Sequence, residues 1–97
     1  MKGFVYIMTN KNNSVLYTGV TSNLKERIEQ HSNRKHANSF TARYNINKLV
    51  YFEKLDSIGE AIKREKTIKG GSRNKKLDLI NRMNAKWRDL REDPDLG

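Results

Sequence analysis

The residues in this sequence best suited to chemistry are polar groups at positions the surrounding apolar pattern would give to a core. Leu24 and Ile28, four apart, mark the inner face of a helix, and Arg27 and His31 follow each of them by three residues. Residues three and four apart share a helix face, so Arg27 and His31 line the edge of that apolar stripe, one turn apart. Arg27 could lay its stem over the core and keep its head in water. In a second helix Glu65 stands three residues after Ile62 and three before Ile68. A carboxylate there needs a salt bridge, a proton or a metal ion, because an unpaired buried charge is costly. An ion pair with Arg27 or a lysine would serve as well as a metal. Tyr6 and Tyr17 fall in two short apolar runs that read as paired strands. If the connecting loop is Asn10 to Asn13, Tyr6 faces Tyr17 and both rings share one side of the sheet. Strand aromatics are ordinarily core. Gly19, two residues after Tyr17, removes a side chain from that same side, as happens where a ligand or another part of the chain approaches closely.

These positions require particular elements. Phe4 to Met8 and Val15 to Val20 are β-branched and aromatic, separated by the turn cluster Asn10–Ser14, and predict a hairpin. Asn23 with Glu26 three residues on is a capping-box spacing that opens a helix from about Leu24 to His31 or Ser32. The stretch from Asn33 to Asn47 is polar and irregular, with Phe40 and Tyr44 as candidate anchors. Leu49 to Phe52 predicts a third strand within Lys48–Lys54. Ser57 with Glu60 repeats the capping pattern for a second helix, which Gly70-Gly71 is expected to end through a left-handed cap. A last helix carries Leu77, Ile80 and Met83 on one face, with Trp87 and Leu90 beyond a break. The order is ββαβα plus a C-terminal helix. It predicts an α+β fold with a small three-stranded sheet, antiparallel or mixed, flanked by helices. One domain over residues 1–97 is expected, with a core from about 3 to 90 and a frayed tail over 92–97.

The chain has 97 residues, 20 Lys+Arg against 11 Asp+Glu, a formal net charge of +9, two His and no Cys. The charge favours a polyanionic partner, nucleic acid first. Without Cys and with only two His, a zinc site of three or four ligands is not expected. No Gly-rich phosphate loop follows a strand. No apolar run approaches the roughly 18 residues of a membrane span. The apolar run at the N-terminus is too short for an export signal, so a cytoplasmic location and no membrane partner are expected.

Taken together, Phe4-Val5-Tyr6, then Tyr17-Thr18-Gly19, Arg27, His31 and Glu65 stand in an order that resembles the GIY-YIG endonuclease superfamily. The chain looks like its short stand-alone bacterial members, related to the nuclease domain of an excision-repair subunit. The resemblance spans roughly Gly3 to Leu90, and Arg64-Glu65-Lys66 with Ile68-Lys69 adds to it. Phe4 and Val5 stand where the first motif has Gly and Ile, and Val20 where some relatives carry Lys. The resemblance implies metal-dependent hydrolysis of phosphodiester bonds in DNA, in repair or in processing of branched or single-stranded DNA. It implies Glu65 as the ligand of one Mg²⁺ or Mn²⁺, and Arg27 as the contact to the scissile phosphate. Tyr6 would position or deprotonate the attacking water, with Tyr17 and His31 as supporting partners, and any of the three could be the general base. Gly19 would be structural.

Substrate binding would fall on the domain itself. Arg43, Lys63, Lys69, Arg73, Lys75 and Lys76 are the expected phosphate contacts, with Lys11 a lesser one. Phe40 and Tyr44 could stack on bases or anchor the loop. The expected partner is nucleic acid, DNA ahead of RNA, with a protein partner for targeting. Two other functions fit the basic surface: a catalytically silent nucleic-acid-binding module, and a protein-protein adaptor. A silent module has no use for a carboxylate facing phosphates without a metal.

Overall fold

The computed structural model describes residues 2–32 and 44–93, and the backbone alone at His31 and Ser32. Strands β1 (Gly3–Thr9) and β2 (Leu16–Thr21) are followed by helix α1 (Leu24–Ser32). Strand β3 (Lys48–Leu55) and helices α2 (Ile58–Gly70) and α3 (Arg73–Met83) complete the order. The sheet runs β2-β1-β3 with both pairings antiparallel. This is the α+β arrangement the sequence predicts, and it settles the sheet as antiparallel.

β1 is the middle strand, and all seven of its residues are buried. That explains why Phe4–Met8 reads as an unbroken apolar run rather than an alternating one. Alternate residues point to opposite faces. Phe4, Tyr6 and Met8 meet Leu24 and Ile28 of α1. Val5 and Ile7 meet Ala61 and Ile68 of α2 and Ile80 of α3. The sheet is therefore covered by α1 on one side and by α2 and α3 on the other. The close approach of α2 explains Gly3: a Cβ there would lie 2.7 Å from the Ala61 Cβ and 2.8 Å from the Ile58 Cα.

The hairpin register differs from the expectation by two residues. Tyr6 pairs with Gly19, and Tyr17 with Met8. The Asn10 side-chain oxygen accepts hydrogen bonds from the Ser14 and Val15 amides (2.8 and 3.2 Å), which draws those residues into the loop. A slip of two leaves every side chain on its original face, so Tyr6 and Tyr17 still share one.

Helices α1 and α2 begin where the capping pattern places them. The Glu26 amide donates to Asn23 Oδ1 and the Glu60 amide to Ser57 Oγ, both at 3.1 Å. The expected left-handed glycine cap is not found. α2 continues through Gly70, and Gly71 has φ −83°, its amide donating to the Ile68 carbonyl. That bond reaches back only three residues, which ends the helix without a positive φ, and Ser72 caps α3 immediately afterwards. The apolar stripes are also narrower than expected. Ile62 and Met83 are exposed (39% and 44%), while the buried line of α2 is Ala61 and Ile68, two turns apart. Both helices lie against one sheet face, so each buries only the side chains directly over it.

Trp87 and Leu90 do lie beyond the last helix. β3 carries a bulge: Met8 pairs with Leu49 and Ile7 with Tyr51, leaving Val50 as the extra residue. The buried Asn84 donates from Nδ2 to the Val50 carbonyl (3.2 Å) and the Arg88 carbonyl (2.7 Å), and accepts from the Arg88 amide (3.0 Å). This turn lays residues 89–90 along the outer edge of β3. The Leu90 amide donates to the Leu49 carbonyl (2.8 Å), and Leu90 enters the core on the α1 side. The tail over 94–97 and the stretch 33–43 lie outside the described residues.

Candidate functional site

β1, β2, α1 and α2 each supply one member of a cluster around the Tyr6 hydroxyl. Tyr6 is fully buried on the α1 side. Its ring lies across Gly19 of β2, where an added Cβ would fall 2.5 Å from Tyr6 Cζ. Gly19 is therefore required by the tyrosine itself. Tyr17, two residues before Gly19, brings its ring centroid to 6.3 Å from that of Tyr6, tilted by 43°. Arg27, half-buried on α1, donates a hydrogen bond to the Tyr6 hydroxyl. It also lines a hollow of about 150 Å³ with Asn23, Glu26 and Gln30.

Glu65 is close enough for its charge to act on Tyr6. Its side chain is only 13% exposed, and its Oε2 meets Lys69 Nζ at 2.8 Å. Of the partners that could satisfy this carboxylate, a lysine on its own helix takes the role, and no ion pair joins Glu65 to Arg27. Burial pushes the Tyr6 hydroxyl well above the ordinary phenol range. The neighbouring Tyr17 adds to this, Arg27 opposes it by charge and hydrogen bond, and Glu65 raises it further. Tyr6 thus carries its proton at neutral pH. His31 follows Arg27 by one turn on α1, and its side chain lies outside the described residues.

A second cluster of the same residue types, which the residue spacing does not predict, occupies the other side of the sheet. Glu53 of β3 accepts from Arg64 Nε at 3.1 Å to each oxygen and from Nη2 at 3.0 Å. The Tyr51 hydroxyl donates to the same carboxylate. Burial, then the hydrogen bond to Glu53, pushes Tyr51 up to about 12. The hydrogen bond to Glu53 raises Arg64. The only hint in the sequence was Glu53 following a buried run at strand spacing from Tyr51.

The expected phosphate contacts do not gather in one place. Lys69 pairs with Glu65. Lys63 is exposed on α2, and Arg73 donates to the Ser14 carbonyl (3.3 Å). Lys75 and Lys76 line a cavity between α2 and α3. Tyr44 is 42% exposed. Arg43 and Phe40 lie outside the described residues. Among the described residues no three His, Cys, Asp or Glu side chains cluster as a metal site. Glu65 is a single hard oxygen donor. That suits a cation such as Mg²⁺ or Mn²⁺, which keeps much of its water and shares substrate oxygens, and not Zn²⁺. None of the described helices is long and apolar enough to cross a membrane.

Comparison with known proteins bears on this geometry. Residues 2–78 match the model of the GIY-YIG catalytic domain. A UPF0213 protein of Clostridium perfringens is 45% identical over 83 residues, covering 86% of this chain and 87% of the relative. One from Syntrophus aciditrophicus is 39% identical over 79 residues, covering 81% and 90%. The solution NMR structure of a UPF0213 protein from Bacillus halodurans superposes with a TM-score of 0.58 at 30% identity, covering 97% of this chain and 98% of that one.

Proposed function

The chain belongs to the GIY-YIG family of nuclease catalytic domains, and from that premise we propose that it is a metal-dependent endonuclease hydrolysing phosphodiester bonds in DNA. The observation that carries the reading is the convergence of Tyr6, Tyr17, Arg27 and Glu65 about one buried hydroxyl, with Gly19 cleared to admit it. Groups distributed over four elements, two of them ionised and neither paired with the other, suit an external phosphate better than a closed structural network.

In this reading Arg27 contacts the scissile phosphate through donors it does not use on Tyr6. Tyr6 holds its proton at neutral pH, so its first task is to orient the attacking water. Tyr17 and His31 support it, and the proton of that water passes to the one of the three that stands deprotonated once the phosphate is bound. Glu65 would hold one Mg²⁺ or Mn²⁺, which when bound supplies positive charge to a phosphate oxygen and the leaving group. Lys69 would give up Glu65 to such an ion and turn toward the substrate. Branched or single-stranded DNA in repair or processing is the proposed substrate, with a protein partner for targeting and a cytoplasmic location.

The test is nicking of single-stranded, duplex and flap DNA by the purified chain with Mg²⁺ or Mn²⁺, with Glu65→Gln alongside. Cleavage by wild type that the variant lacks is the expected result. Equal background in both would overturn autonomous activity, and DNA affinity that survives in both would favour the silent binding module.

A further inference from the structure

A cavity of about 440 Å³ lies away from the candidate catalytic cluster, between α2 and α3. It is lined by Arg64, Lys66, Lys75, Lys76, Arg82 and Asp78 among others. Arg64 is neutralised by Glu53. None of Lys66, Lys75, Lys76 and Arg82 forms an ion pair within 4 Å among the described residues. Four cations without an ion pair therefore line one concave wall together with a single carboxylate, Asp78. Like charges gathered this way repel one another, and a concave surface focuses their field more than a convex one does. α3 has no acidic residue in its first turn, so Lys75 and Lys76 also stand near the positive end of its dipole. Both costs fall when an anion enters.

The position is informative too. Ala61 and Ile68 define the buried line of α2. Arg64 and Glu65, 100° apart around the helix axis, fall on opposite flanks of that line. The cavity lies on the Arg64 flank, and the Glu65 flank faces the Tyr6 cluster. A strand gripped in the cavity would meet the protein on the other side of α2 from the bond being cut.

We propose that the cavity between α2 and α3 is a phosphate-binding site that takes a backbone phosphate of the nucleic-acid substrate away from the scissile bond. The assignment rests on the nuclease reading for the identity of its ligand. It separates Lys75 and Lys76, with Lys66 and Arg82, from Lys63 and Lys69 on the rest of α2. Contacts of this kind fix the path of a strand without reading its sequence.

The experiment measures binding of a fluorescent duplex oligonucleotide to the full chain across a salt series. It compares wild type with the triple variant Lys75→Gln/Lys76→Gln/Arg82→Gln. A control triple, Lys25→Gln/Lys86→Gln/Arg88→Gln, removes the same charge elsewhere. Each phosphate contact contributes about 0.9 to the slope of log affinity against log salt. The cavity triple should weaken binding at least about tenfold and flatten that slope by about 1, with the control within about threefold of wild type. Thermal melting of each variant checks folding, and Lys75→Arg/Lys76→Arg/Arg82→Lys should restore binding. Unchanged affinity and slope in the cavity triple would overturn the site, as would equal losses in both triples. Competition by millimolar inorganic phosphate, with the oligonucleotide insensitive to the triple, would reassign the cavity to free phosphate and also overturn it. Cleavage by Glu65→Gln is scored in parallel: if it matches wild type, the nuclease reading fails while the binding result for the cavity stands by itself.

Discussion

The Tyr6–Arg27–Glu65 cluster and the Tyr51–Arg64–Glu53 cluster use the same three side-chain types on opposite sides of one sheet, but their bonding differs. In the Tyr51 cluster the carboxylate takes hydrogen bonds from both nitrogens of a fork and from the phenol, so its capacity is spent inside the protein. In the Tyr6 cluster the guanidinium goes to the phenol, and the carboxylate goes to Lys69, which is half exposed. A pair with such a partner is worth only about 0–1 kcal/mol. Composition alone cannot distinguish a brace from a site. The distinction lies in whether the acid and the base are spent on each other.

The largest test of this contrast exchanges the two carboxylates. Glu65→Gln should lower metal-dependent nicking at least about 100-fold with little change in melting temperature. Glu53→Gln should leave nicking within about threefold per folded molecule and cost about 1–2 kcal/mol, read from urea denaturation. The opposite pattern would show that the Tyr51 cluster is the working one. The two close-contact glycines come next. Gly19→Ala forces the Tyr6 ring aside and should reduce nicking about tenfold or more as well as costing about 1–3 kcal/mol. Gly3→Ala, which crowds the α2 backbone instead, should cost comparable stability without that loss of rate per folded molecule.

Much of this contrast could be read from the residues, and the unread part has definite causes. Local signals held: the capping pairs Asn23/Glu26 and Ser57/Glu60 begin their helices, and the FVYIM run is the central strand. The register slipped by two because it depends on Asn10 binding two amides ahead, a contact invisible to spacing. The buried stripe of α2 is narrower than the periodicity predicts because Ile62 fits the helical period equally well whether or not a sheet lies beneath it. The four cluster residues are legible in the sequence because each is polar beside a buried position. Glu53 and Arg64 escaped because a strand carboxylate and a helix guanidinium reveal their pairing only after the long-range fold forms. Asn84 escaped for the same reason, since its function is to bind a bulge carbonyl 34 residues earlier.

The smallest expected effect is an alkaline one. The hydroxyls of Tyr6 and Tyr51 are both raised above the ordinary value of 10, Tyr51 to about 12. A raised phenol contributes stability that is present in full below pH 10 and is lost as pH climbs through the folded value. Melting temperature should therefore hold up to about pH 10 and fall from there to 12. Tyr51→Phe should flatten that fall in part, leaving the share due to Tyr6. An unchanged profile in Tyr51→Phe would show that the hydroxyl held by Glu53 does not carry this dependence.

The wrap of residues 84–90 around β3 has a consequence for how the molecule is made. Leu49 and Asp89 are partners separated by 40 positions. At a synthesis rate of 5–20 residues per second that interval lasts about 2–8 s. During it the β1–β2 hairpin can close on its own, while the layer beneath α1 still lacks Leu90 and β3 keeps an open edge. A growing chain can therefore bring Tyr6, Tyr17 and Gly19 into register before Leu90 is available to complete the core beside Tyr6. Final consolidation of the core is thereby tied to the emergence of residue 90.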